Sequence, residues 1–404
     1  IISSSRDLLV LGGGAGGVTA AIRAAQLGIK TTLVEASHHC FGRQKGCTTR
    51  WVDPTQYDWP ADHWDRGVYP WAPPAMPLPW AEQISSVIAA VWEREFRRAR
   101  ARYPNLTFLP LTTVRSIVYS SGARLAVMLS GSVKPASYGA VLICVGFGME
   151  KASLRDYRSF QFWDSDLLES AGLGRTSIKR VLIAGGGDGA LQDFLRITTG
   201  MKSARELLKS LPADAQALVS SAIHSAEDQA QRAGIWCERR HEHAVFKRLQ
   251  KVYLDQVTEL LKDAGVEKAL DDALLNSKAF KKITLAYPCD HFSRCYGLNR
   301  LLVLLIIKHA AAKGLVAFED LASTGVKSVI GVSHACSKSA AACHGQEHEV
   351  SFEAFPLCAS PAGAATKTEI FDAVILRLGV TPPAPFAGSP LLFTRQILPY
   401  HASQ

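Results

Sequence analysis

No run of the 404-residue sequence is apolar for long enough to cross a bilayer. The longest, "LLVLLII" at 301–307, is far short of the roughly 20 residues a spanning helix needs. No secretory signal is visible; the chain begins at Ile1 rather than Met, so a leader removed earlier is compatible with the sequence. None of the nine cysteines falls in a C-x-x-C pair, and nine is an odd number, which argues against a disulfide framework. Scattered thiols fit a reducing compartment, so the protein is expected to be cytoplasmic. The H-E-x-x-H pattern is missing: "RRHEH" at 239–243 lacks its spacing. His334, Cys336, Cys343, His344 and His348, and farther upstream Cys289, His291 and Cys295, match no standard zinc module, so no metal is expected.

What is present is ordinary globular composition: 48% hydrophobic and 20% charged, enough for two or three cores. The net charge of +9 concentrates most in "REFRRARAR" at 94–102. With no nucleic-acid module beside it, that run reads as the solvated face of a helix. The expected partner is a small-molecule substrate, with neither nucleic acid nor membrane; composition leaves the oligomeric state open. The triplet Asn105-Leu106-Thr107 has a glycosylation spacing that chance alone produces in a chain this long.

The residues with a chemical message are glycines. Leu8 to Leu11 form a short apolar run, the mark of a buried parallel strand. Gly12, Gly14 and Gly17 follow in G-x-G-x-x-G spacing. The first permits a tight turn, the second lets backbone approach a pyrophosphate, and the third lets a helix pack close to the strand. An Ala-rich helix follows and ends at Gly28, and its N-terminus offers N–H groups and a positive dipole end to phosphates. The next strand, "KTTLVE", ends in Glu35, 18 residues after Gly17, where a carboxylate can accept hydrogen bonds from ribose hydroxyls.

This segment resembles the N-terminal FAD-binding unit of the two-dinucleotide flavoproteins, a family that includes glutathione-reductase-like enzymes, flavin monooxygenases and amine oxidases. The likeness extends over about the first 150 residues. The stretch 112–148 reads as a β-meander with turns at "SSG" and "SGS" and closes on an apolar strand ending at Gly146, as in the family. The resemblance implies that FAD is bound, with Val114 near its adenine and Gly146 on the closing strand. Gly42 and Arg43 stand at the offset of an amine-oxidase Gly-Gly-Arg, whose Arg would pair with a flavin phosphate, although Phe41 replaces the first glycine. Disulfide reductases of the family place a reactive cysteine pair just after this point. Cys40 and Cys47 have six residues between them and do not fit that spacing.

Residues 51–80 hold five of the eight tryptophans (Trp51, Trp59, Trp64, Trp71 and Trp80) among many prolines. Proline bars regular helix there, so a stiff loop is expected. It would act as a lid over flavin and substrate or as a structural belt, with Tyr57, Asp58, His63 and Asp65 as the polar groups to test.

A second turn, "RVLIAGGGDGALQD" at 180–193, places Gly185, Gly187 and Ala190 in G-x-G-x-x-A spacing. In the family that unit holds NAD(P)H, here a candidate second cofactor. Two features depart from the pattern: Asp188 would repel a pyrophosphate, and a helical stretch precedes the next strand, "KKITLAYP" at 281–288, near whose end Asp290 or Arg294 would lie. "SVIGVSH" (328–334) and "FDAVILRLG" (371–379) read as buried strands. The family's C-terminal Gly-Asp is missing.

The expected fold is therefore α/β, with two Rossmann-like dinucleotide-binding units, the first a glutathione-reductase-like FAD domain with a β-meander, plus a helical insertion. The expected boundaries are 1–150 for the FAD unit with its aromatic loop at 51–80, then 151–379 for the second unit with the insertion at about 199–280, and 380–404 for a tail. The expected function is an FAD-dependent oxidoreductase of a small organic substrate, NAD(P)H-linked as a reductase or monooxygenase. The alternatives are an amine or amino-acid oxidase that uses FAD and oxygen, and a non-catalytic nucleotide-binding scaffold. The catalytic residues are unknown at this stage.

Overall fold

A computed structural model describes residues 7–53, 77–79, 82–120, 124–146, 148–175, 177–232, 242–292, 295–315, 318–332, 347–354 and 367–381. They fall into two compact units. The first lies within 1–52, 66–149 and 380–404, and the second within 53–65 and 150–379. No helix among the described residues is long and apolar enough to cross a membrane.

The first unit begins with β1 (Asp7–Leu11), α1 (Ala15–Gln26), β2 (Lys30–Val34), the short α2 (Gly42–Gly46), α3 (Ser85–Arg102) and β3 (Leu106–Leu109). A meander of β4 (Val114–Ser120), β5 (Arg124–Leu129) and β6 (Ala136–Tyr138) follows, and then β7 (Ala140–Ile143). Four strands pair in parallel in the order β3-β2-β1-β7. Side chains alternate across a strand, so Leu9 and Leu11 reach the meander residues Ile117, Val127 and Leu129 on one face. α1 buries Val18, Ala21 and Ile22. It stops as the sequence indicates, with Gly28 at φ +77°, a left-handed residue just past the helix end. β7 lies at the sheet edge, and Leu142 and Ile143 are exposed there, 40% and 36%, despite their apolar character.

The second unit repeats the plan. β8 (Arg180–Ala184) leads into α4 (Asp188–Thr199), then α5 (Ala204–Ser210), α6 (Ala213–Arg232), α7 (Glu242–Leu260) and α8 (Ala264–Ala273). β9 (Lys282–Ala286), α9 (Gly297–Ala312) and β10 (Phe318–Leu321) come next. The chain ends its described part with the meander β11 (Thr324–Val332), β12 (Glu347–Ala354) and β13 (Thr368–Phe371), then β14 (Ala373–Leu376). The sheet is again parallel, in the order β10-β9-β8-β14. The stretch 281–288 thus supplies the second strand, paired to β8 across the helical insertion. Leu182 and Ala184 face the meander residues Val329, Val350 and Phe352, while Val181 and Ile183 face the helices.

Residues 328–332, read from the sequence as a buried strand, do form a strand, and it pairs antiparallel with β12, a strand not identified from the sequence. The sequence around β12 alternates Val350 and Phe352 inward with Ser351 and Glu353 between them, a period of two that short length hid.

Candidate functional site: the first glycine turn

The turn between β1 and α1 is built by close backbone approaches. Gly12 sits at φ +103°, and a Cβ there would lie 2.4 Å from the carbonyl oxygen of Cys144, just past β7. A Cβ on Gly17 would lie 2.0 Å from the Gly12 carbonyl oxygen. Both positions therefore exclude any side chain, and both hold the helix against the sheet. Gly14 differs: it is the N-cap of α1, with ordinary extended backbone, and nothing stands within 4 Å of where its Cβ would point. Gly16 is equally open. No side chain caps α1 and no acid occupies its first turn. The first N–H groups of the helix thus face open space with the dipole's positive end behind them, which suits a pyrophosphate.

Glu35 closes the other side. Its carboxylate accepts the Gly13 backbone N–H at 2.6 Å and both the N–H and hydroxyl of Ser37 at 2.8 Å. These donors fix the carboxylate beside the glycine turn and leave lone pairs for further donors such as ribose hydroxyls. Ser37 was invisible to sequence reading, because a serine two residues past a strand end has no distinctive pattern.

The segment after Glu35 explains the departure at Phe41. Phe41 adopts φ +60°, the left-handed conformation a glycine would take without strain. Its ring is 1% exposed and packs against Trp92 at 5.5 Å, and its N–H donates to the Gly13 carbonyl at 2.9 Å. Ring burial, about 2 kcal/mol, is enough to offset the backbone strain of roughly 1–2 kcal/mol. Gly42 and Arg43 begin α2; Arg43 is exposed, and its guanidinium donates to the Gly148 carbonyl at 3.1 Å. Val114 starts β4, partly buried against the meander core, and Gly146 is exposed at φ +79°.

Neither Cys40 nor Cys47 is in a disulfide, and both are buried. Burial pushes the Cys40 thiol up to about 12, helped by the carboxylates of Glu35 and Glu93. At pH 8 only about one such thiol in ten thousand is ionised, so Cys40 is no nucleophile. In the native protein at pH 8, iodoacetamide is expected to leave Cys40 unmodified for hours, with labelling complete after unfolding in urea. Mass mapping of Cys40 before and after denaturation checks this, and rapid native labelling would overturn it. Cys289, by contrast, is disulfide-bonded, which corrects the reading of all nine cysteines as single thiols.

The second turn shares the backbone plan of the first. Gly185 sits at φ +146°, and a Cβ there would meet the Arg377 carbonyl at 2.2 Å. Gly187 is the N-cap of α4, and Ala190 is buried against the core. Asp188 occupies the first turn of that helix, and its carboxylate accepts the Tyr296 N–H at 2.7 Å and the Asn299 amide at 2.9 Å. It therefore caps the start of α9, a use no local pattern reveals. Asp290 lies past β9 and pairs with Lys247 at 2.6 Å. Arg294, the polar groups Tyr57, Asp58, His63 and Asp65, and the His/Cys run from His334 to His344 lie outside the described residues. Asn105 spends its amide on the Ala25 and Ile29 carbonyls at 3.0 and 2.9 Å, an internal role incompatible with carrying a glycan.

The first turn, its open cradle and its acid stand in a stretch with a known counterpart: residues 7–99 match the family model described as FAD dependent oxidoreductase. Over this N-terminal stretch the chain is similar to FAD-dependent oxidoreductases. The match makes FAD the cofactor and oxidation–reduction the class of chemistry. The cradle fits that group, since its open glycine positions and uncapped helix end suit the pyrophosphate.

Solved structures with a similar chain path include thioredoxin reductase of Lactococcus lactis, at 10% identity and a TM-score of 0.42, covering 94% of this chain and 80% of that one. Bacillithiol disulfide reductase of Staphylococcus aureus matches at 12% and 0.44, covering 93% and 77%. A variant flavin monooxygenase of Stenotrophomonas maltophilia matches at 14% and 0.43, covering 94% and 80%. Likenesses this distant carry neither substrate nor partner.

Proposed function

We propose that the protein is an FAD-dependent oxidoreductase of a small organic substrate whose flavin is reduced by NAD(P)H. The observation that carries the reading is the repeated plan: a second parallel sheet opens into a second glycine turn, again with a glycine N-cap before a helix of 12 residues. In the first unit, Gly12 and Gly17 shape the turn, Gly14 and the α1 N-terminus receive the pyrophosphate, and Glu35 accepts from the ribose. Val114 and Gly146 border the adenosine end, and Gly42 with Arg43 lies on the phosphate side. In the second unit, Gly185, Gly187 and Ala190 serve the nicotinamide dinucleotide, with Asp188 kept from its phosphates by the bonds to Tyr296 and Asn299. When bound, FAD supplies the electron-accepting ring; the chain supplies binding and orientation.

The test uses the full chain loaded with FAD. Anaerobic addition of NADPH, and separately NADH, is expected to bleach the flavin band near ~450 nm within seconds to minutes. A band that survives both donors but bleaches with an amine or amino acid would replace this reading by the oxidase, which Arg43 at its Gly-Arg offset favours.

A further inference from the structure

We propose that a cleft beside the cofactor cradle, between the turn after Glu35 and helix α3, binds a small aryl carboxylate. The cleft has a volume of about 210 Å³. That holds one ring and its carboxylate and is too small for a dinucleotide. None of the glycines of the first turn lines it, nor does Glu35, so it is a separate site.

Its chemistry follows from what surrounds it. Phe96 of α3 and Phe108 of β3 form the apolar floor, edge to face at 5.4 Å. The Arg100 guanidinium lies over both rings, 5.9 Å from one centroid and 5.3 Å from the other. Among the described residues, no carboxylate stands within ion-pair distance of Arg100. The cleft also contains one anion, Glu93, which works against an acidic ligand. That carboxylate is met twice, by Lys45 at 2.7 Å and by Arg97 at 3.1 Å. Its hydrogen bond from Lys45 holds it below the usual carboxylate range despite partial burial. His38, His39 and Cys40 complete the lining.

The lining therefore has an unmatched guanidinium above an aromatic floor. A carboxylate satisfies the planar fork of Arg100 with two parallel bonds, and an aryl ring covers the apolar surface that a bare anion leaves wet. A polyanion would meet Glu93 with no apolar contact in return. The basic run at 94–102 thus contains more than a solvated face, because Arg97 and Arg100, although exposed, border the cleft. This assignment does not depend on which donor reduces the flavin.

Benzoate is the probe, measured on the FAD-loaded full chain by isothermal titration and saturation-transfer NMR. Saturable one-site binding in the micromolar to low-millimolar range is expected. Arg100→Met keeps the stem and removes the charge, and it should weaken binding at least about tenfold; benzamide should bind wild type at least tenfold more weakly than benzoate. The proposal falls if no saturable binding occurs, or if Arg100→Met binds like wild type at an unchanged melting temperature. It falls equally if inorganic phosphate displaces benzoate at equal concentration, because a site for any anion needs no aryl ring.

Discussion

Gly14→Val is expected to yield a folded protein that has lost its yellow colour. The backbone at Gly14 is extended, and no atom lies within 4 Å of the added Cβ, so the chain accommodates the side chain. Exchange at an N-cap costs about 1 kcal/mol of helix stability or less when glycine is the starting residue. The isopropyl group then fills the space that the pyrophosphate needs in front of the α1 N–H groups. FAD affinity should fall at least about a hundredfold, some 2.7 kcal/mol. Titration followed by flavin absorbance measures it, with far-ultraviolet circular dichroism as the fold control. Gly17→Ala is the contrasting variant: its Cβ would lie 2.0 Å from the Gly12 carbonyl, so helix and sheet must part and stability falls with the cofactor. A Gly14→Val protein that retains flavin at wild-type affinity would place the pyrophosphate elsewhere.

Arg196→Met should be strongly destabilising to the second unit. Arg196 lies on α4, and its side chain is 4% exposed. It grips Asp166 with two bonds, 2.7 and 3.1 Å, and donates to Glu169 at 2.5 Å. Burial alone would lower the pKa of the guanidinium, but hydrogen bonds to Glu169 and Asp166 outweigh it and raise the value, so the cation stays charged. Asp166 is itself 4% exposed, so removing the arginine leaves a buried carboxylate without its main counter-ion. Breaking such a cluster costs roughly 3–5 kcal/mol. Urea unfolding should show a lower midpoint at unchanged slope, and Arg196→Lys should fall between, since an ammonium keeps the charge but not the fork. A loss below about 1 kcal/mol would mean that water replaces the guanidinium, and the burial argument would fail.

Sequence and structure contributed different things, as single residues show. The strand–glycine–helix order at 8–28 is local, since period, turn and cap lie within a few residues of one another, and it was legible at once. So was the meander at 112–148, where apolar alternation and glycine turns coincide. The second meander is not legible as a unit, because β11 and β12 are separated by a long stretch of sequence and pair only in space. Asp188 looked like an obstacle to phosphate; its turn toward Tyr296 and Asn299 depends on where α9 starts, over 100 residues later. Phe41 looked like a broken motif, and Trp92 on a distant helix supplies what makes its left-handed backbone tolerable.

By itself, the sequence determined two glycine turns, the acid at position 35 and the α/β alternation, because each depends on backbone sterics and side-chain period within a short window. Only the tertiary structure decided that Gly14 is open while Gly12 and Gly17 are closed, that Cys40 is a silent thiol, and that Arg100 faces a cleft. Those properties depend on which distant atoms come to rest within a few ångströms, and no local pattern encodes that distance.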